Sequence, residues 1–75
     1  MSFELHSPIS GTLRHLNTLT DPVFAEEIMG PGFAVAPGNE RRLLVCAPTD
    51  GILTHLLPHA CAITRADGQQ ILVHL

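Results

Sequence analysis

Proline and glycine interrupt this chain at intervals of about eight to twelve residues, and that punctuation limits what it can fold into more than any other feature. No long helix fits between such breaks, whereas short strands do. The apolar runs between the turn signals are Phe3–His6, Thr12–Leu16, Gly32–Ala36, Arg42–Cys46, Gly51–Leu56, Cys61–Arg65 and Gln70–Leu75. Each has the length of a strand. Asp67-Gly68, set between two of these runs, is the clearest hairpin signal. Only Pro22–Met29 reads as helix, with Asp21 as its N-cap and Pro22 at its first position. At about two turns it is an insertion, not a core element. The predicted class is all-β, a sandwich of short strands.

One repeat lies inside this pattern. Residues 7–16, Ser-Pro-Ile-Ser-Gly-Thr-Leu-Arg-His-Leu, match residues 47–56, Ala-Pro-Thr-Asp-Gly-Ile-Leu-Thr-His-Leu, at five of ten positions. In each copy a proline and a glycine shape a tight turn that feeds a short strand, which suggests a pseudo-symmetric pair of turn–strand units. His15 and His55 occupy matched places, so one structural or surface role accounts for both.

Composition removes several functions. The 75 residues make one small domain at most, and such a chain buries only about 60% of its unfolded surface. It has four arginines, no lysine, seven acids and a net charge of -3. A chain without a basic stripe is a poor nucleic-acid binder. Without a lysine it cannot be a lipoyl or biotinyl carrier. Only 15% of residues are charged, against a usual value of about 25%, so polar side chains are too few to cover its surface. An apolar face covered by a second copy or by a complementing second half is expected. No signal peptide or apolar span of membrane length is visible, so the expected location is the cytoplasm, with Cys46 and Cys61 reduced and buried as small core residues.

Of the five histidines, His59 and His74 carry the most chemistry. His59 follows Pro58 and precedes the apolar run Ala60–Ile63. His74 lies within Ile71-Leu72-Val73-His74-Leu75. Period two puts Gln70, Leu72 and His74 on one face of that strand and Ile71, Val73 and Leu75 on the other. An imidazole desolvated by aliphatic neighbours stays neutral, as a nucleophile toward phosphorus must be. A dry rim would also protect a phosphohistidine from water, and a second histidine across a hairpin would hold its ring or bind phosphoryl oxygens. The alternative is a histidine at a strand end with a structural role only. The spacing of His59 and His74 matches no zinc motif, and neither cysteine belongs to a CxxC pair. No metal or cofactor is expected.

Taken in order, Ser7-Pro8-Ile9-Ser10-Gly11, Asp21-Pro22-Val23-Phe24-Ala25 with Gly30-Pro31-Gly32, Ala47-Pro48-Thr49-Asp50-Gly51, His59-Ala60 and Leu72-Val73-His74-Leu75 resemble the glucose-type enzyme IIA family of the sugar phosphotransferase system. The resemblance runs over residues 5–75. It implies a β-sandwich of two hybrid half-motifs, barrel-sandwich-like, of which residues 1–75 would be a single partial domain. It also implies that His74 accepts a phosphoryl group on Nε2 from the carrier protein HPr and that His59 assists. The phosphoryl group would pass to a cysteine on the IIB domain of a sugar permease, the only link to a membrane. Three departures stand out. The family's domain is longer, the Gly-Ile-Asp that follows its second histidine is missing, and Leu57 stands where the family often has threonine. They motivate a second reading, a non-catalytic half-domain that homodimerises and acts by binding or regulation. Enzymatic activity as a IIA component is favoured over that reading by the intact histidine pair. A zinc peptidase of related β-fold is set aside, because no ligand set is complete.

Overall fold

A computed structural model describes residues 4–39 and 42–75. The order of elements is β1 (Thr12–His15), a 3-10 turn (Leu16–Thr18), α1 (Pro22–Ala25), β2 (Phe33–Ala36), β3 (Ile52–Leu57), β4 (Ala60–Thr64) and β5 (Gln70–His74). All pairing is antiparallel, in a two-stranded sheet β1-β2 and a three-stranded sheet β3-β4-β5. The all-β class expected from the punctuation is what the chain adopts. No helix among the described residues is long and apolar enough to cross a membrane.

The chain divides into two compact units. One comprises Ile9–Leu44. In it β1 and β2 pair without irregularity, from Thr12 opposite Ala36 to His15 opposite Phe33. The helix expected over Pro22–Met29 has only its first turn. Asp21 caps it as expected, its carboxylate accepting the Val23 N–H at 3.0 Å. Glu27 then takes a left-handed φ of 56°, with Glu27 N–H donating to Phe24 O and Ile28 N–H to Val23 O, both at 3.0 Å. These two bonds form a Schellman stop, which ends a helix where the sequence offered no glycine.

The other unit is built from Val45–Leu75 with the N-terminal residues up to Pro8. Its hairpins follow from local sequence. Pro58 and His59 alone join β3 to β4, with Leu57 opposite Ala60. Between β4 and β5, Gly68 takes φ +88° and donates to Arg65 O at 3.0 Å, while Arg65 N–H donates to Gln69 O at 2.8 Å. The loop is thus Ala66-Asp67-Gly68, with glycine in the left-handed position that closes a three-residue hairpin. Asp67 accepts the Gln69 N–H and pairs with Arg65 at 3.2 Å, and Arg65 also donates to the hydroxyl of buried Thr49. Ile63, Val73 and Ala60 are the buried apolar residues among those described. That core is small.

The repeat is structural. Gly11 and Gly51 each lie so close to a partner strand that a Cβ would strike a backbone carbonyl, that of Ala36 and that of Thr64 respectively. Within the second unit the two proline turns also bond reciprocally. His6 N–H donates to Pro48 O and Cys46 N–H to Pro8 O, both at 2.7 Å. His6 and Cys46 are matched by the forty-residue offset, as are Pro8 and Pro48, so the two bonds have local two-fold character. They also explain two corrections. Residues 4–6 and Arg42–Cys46 are not strands: the bonds that the His6 and Cys46 N–H groups make to Pro48 and Pro8 are isolated and form no ladder. Phe3 lies outside the described residues.

Candidate functional site

The β4–β5 register puts Ala60 opposite His74, and the Leu75 N–H donates to His59 O at 2.7 Å. His59, held at the tip of the β3–β4 turn by Pro58, therefore stands beside the end of β5. The two imidazoles meet edge to face, with centroids 5.4 Å apart and planes at 77°. Fifteen residues separate them in sequence, and one hairpin register brings them together.

The alternation read along Gln70–Leu75 holds over Gln70–His74 and ends at Leu75, which is exposed. Val73 is buried and Ile71 half-buried, whereas Gln70, Leu72 and His74 are exposed. The expected desolvation of His74 does not hold, because the aliphatic neighbours cover the opposite face. His59 is also exposed. The pair sits on an open surface, with small Ala60 between β3 and β5 and Leu57 across from it. Leu57 offers no hydroxyl to either ring.

The pairing of β3 contains an irregularity that period two does not foretell. Ile52 and Leu53 lie opposite Thr64 and Ile63, but His55 lies opposite Ala62, which makes Thr54 an extra residue, a β-bulge. The Thr54 hydroxyl donates to Ala62 O at 3.3 Å and lies 3.1 Å from the Thr64 hydroxyl, itself 3.4 Å from the Gln70 amide nitrogen. Residues directly opposite in a sheet share a face. The histidine face therefore carries Ile52, His55 and Leu57 from β3, Ala60, Ala62 and Thr64 from β4, and Gln70, Leu72 and His74 from β5.

The remaining candidates lie elsewhere. His15 ends β1 in the first unit and is exposed. The exposed His6 is 3.7 Å from Glu4. Cys46 is exposed, not buried as expected, because its segment is irregular and not a core strand; Cys61 is half-buried beside Val73, and both are free thiols. Among the described residues no three histidine, cysteine or acidic side chains are grouped to hold a metal.

Residues 3–75 match the family model for the phosphoenolpyruvate-dependent sugar phosphotransferase system, EIIA 1. The chain is 38% identical to a lactose permease of Lactobacillus delbrueckii subsp. bulgaricus, over 99% of this chain and 12% of that protein. It is 34% identical to a glucose-specific EIIA component of Halalkalibacterium halodurans, over 95% of this chain and 40% of the relative. It is 39% identical to a glucosamine-specific EIICBA component of Bacillus subtilis, over 91% and 11%. The chain thus spans less than half the length of these relatives. With its strand-rich fold and the family match over residues 3–75, the chain belongs to the glucose-type EIIA family of the sugar phosphotransferase system.

Proposed function

We propose that residues 1–75 are one partial EIIA-like domain that carries a phosphoryl group on His74. The Nε2 lone pair of His74 attacks the phosphorus of a phosphohistidine on HPr. A new N–P bond forms as the donor N–P bond breaks, and its electron pair returns to the donor ring. In the second step a cysteine thiolate of a permease IIB domain attacks, an S–P bond forms and His74 regains its lone pair. The observation that carries this reading is the edge-to-face contact of His59 and His74. The exposure of both suits a group that must be reached by two proteins in turn. His59 supplies a second ring beside the reacting one, to steady it or to bind phosphoryl oxygens. Cytoplasmic location, with membrane contact only through the permease, follows from this role.

The test is incubation with enzyme I, HPr and labelled phosphoenolpyruvate. An acid-labile, base-stable label is expected on the wild type and none on His74→Ala. Equal labelling of the variant overturns the assignment.

A second reading is favoured by one observation. Much of β3 is exposed although apolar, with Ile52 and Leu56 each 73% accessible, and few side chains are buried. Such a surface suits a half-domain completed by a second copy or by a complementing half. Sedimentation equilibrium separates the cases: a folded 8.1 kDa species at micromolar concentration rules out the homodimer.

A further inference from the structure

The two copies of the internal repeat differ in one structural respect, and it concerns the histidine that both contain. In β1 the pairing is regular, so Thr12 and His15 fall on opposite faces. In β3 the extra residue Thr54 shifts the alternation, so Ile52 and His55 fall on the same face, the one that carries His74. Unbulged, β3 would set His55 opposite Cys61, on the face of Val73. The residue responsible is also one of the two strand positions at which the copies differ: Thr54 replaces the matched Arg14. Its hydroxyl is bonded to the Ala62 carbonyl and lies beside the Thr64 hydroxyl, contacts that pin the bulge. Bulges next to active sites commonly re-aim a side chain in this way.

What the bulge achieves is a third imidazole on the surface of the pair. His55 and His74 are two strands apart and offset by one pair of residues, a Cα separation of about 12 Å from ordinary sheet spacings. Between them stand only Ala60 and Ala62 on the central strand. Over so low a floor two imidazoles can lean toward one phosphate, directly or through a water. Among the described residues no carboxylate occupies a paired position of this face, which His74 shares and which His59 adjoins.

We propose that His55, re-aimed by the Thr54 bulge, is a phosphate-binding residue of this face that holds the dianion carried to or by His74. The proposal rests on the reading of His74 as acceptor. Its role is to bind and position, not to react. With phosphorylated HPr as donor, His55→Gln should raise the KM for the donor about three- to tenfold with kcat little changed, and His55→Lys should restore it. Thr54→Val, which removes the hydroxyl and keeps the branched shape, should reproduce the KM effect with His55 intact. An unchanged KM in folded His55→Gln overturns the proposal, as does a matching loss of kcat. A second measurement stands apart from HPr and from His74. Inorganic phosphate titrated into the chain should move the imidazole NMR signals of His55, in wild type and in His74→Ala alike, but not in Thr54→Val. No movement of His55 in the folded wild type overturns the proposal. Movement of His55 in a wild type that takes no label leaves the phosphate site standing and removes only the acceptor assignment.

Discussion

Gly51→Ala tests the packing that starts β3. A Cβ built there lies 2.6 Å from Thr64 O, 2.7 Å from Ile63 Cγ2 and 3.1 Å from Thr64 C. An ordinary C···O contact is about 3.3 Å or more, so the carbonyl must retreat by roughly 0.7 Å. It cannot do so by a rotamer change, because it is backbone of the central strand, paired to both neighbours. Forcing extra volume into such a place costs about 1–3 kcal/mol. Restricting the unfolded chain by the Gly→Ala change returns roughly 0.4–1 kcal/mol. Taken at the centres of these ranges, about 2 less about 0.7 kcal/mol, the net loss is about 1.3 kcal/mol, which at a small-domain urea slope of about 1 kcal/mol/M lowers the unfolding midpoint by about 1.3 M. Urea unfolding followed by far-ultraviolet circular dichroism measures it. Gly68→Ala is the control, since nothing lies within 4 Å of a Cβ there and only the strain of φ +88° is added. A Gly51→Ala midpoint equal to wild type would refute the reasoning, because the clash would then have been absorbed at no cost.

Other outcomes follow from the same geometry. Ile63→Ala, which empties the most buried apolar position described, should destabilise by about 2–4 kcal/mol in the same assay. The Gln69 N–H first, and then Arg65, hold the Asp67 carboxyl below its ordinary value. A depressed carboxyl contributes stability that is complete above its unfolded pKa and fades as pH falls through the lower folded value, so Asp67→Asn should flatten the acid limb of a thermal melt below about pH 4 and leave the slope at neutral pH unchanged. His59→Gln should still accept label from HPr but pass it poorly to a IIB domain; wild-type onward transfer would remove His59 from the mechanism.

What the sequence determined by itself is what depends on near neighbours. Proline and glycine positions set the turns, the Asp21 cap began the helix, and period two divided β5 correctly into the faces of Leu72 and Val73, because each is decided within a few residues by dihedral preference and side-chain alternation. The ordered motifs also marked His59 and His74. Other features needed partners distant in sequence. The helix stopped at Glu27 through backbone bonds that no residue type announced, and Arg42–Cys46 formed no strand, the Cys46 N–H bonding to Pro8 O instead of to a ladder partner. Which face of β5 is covered depended on where Ile63 and Cys61 pack, so His74 proved exposed. Above all, only the pairing of β3 with β4 decided the face of His55. One extra residue in a strand inverts every side chain beyond it, and the carbonyl that holds the extra residue, that of Ala62, lies on another strand.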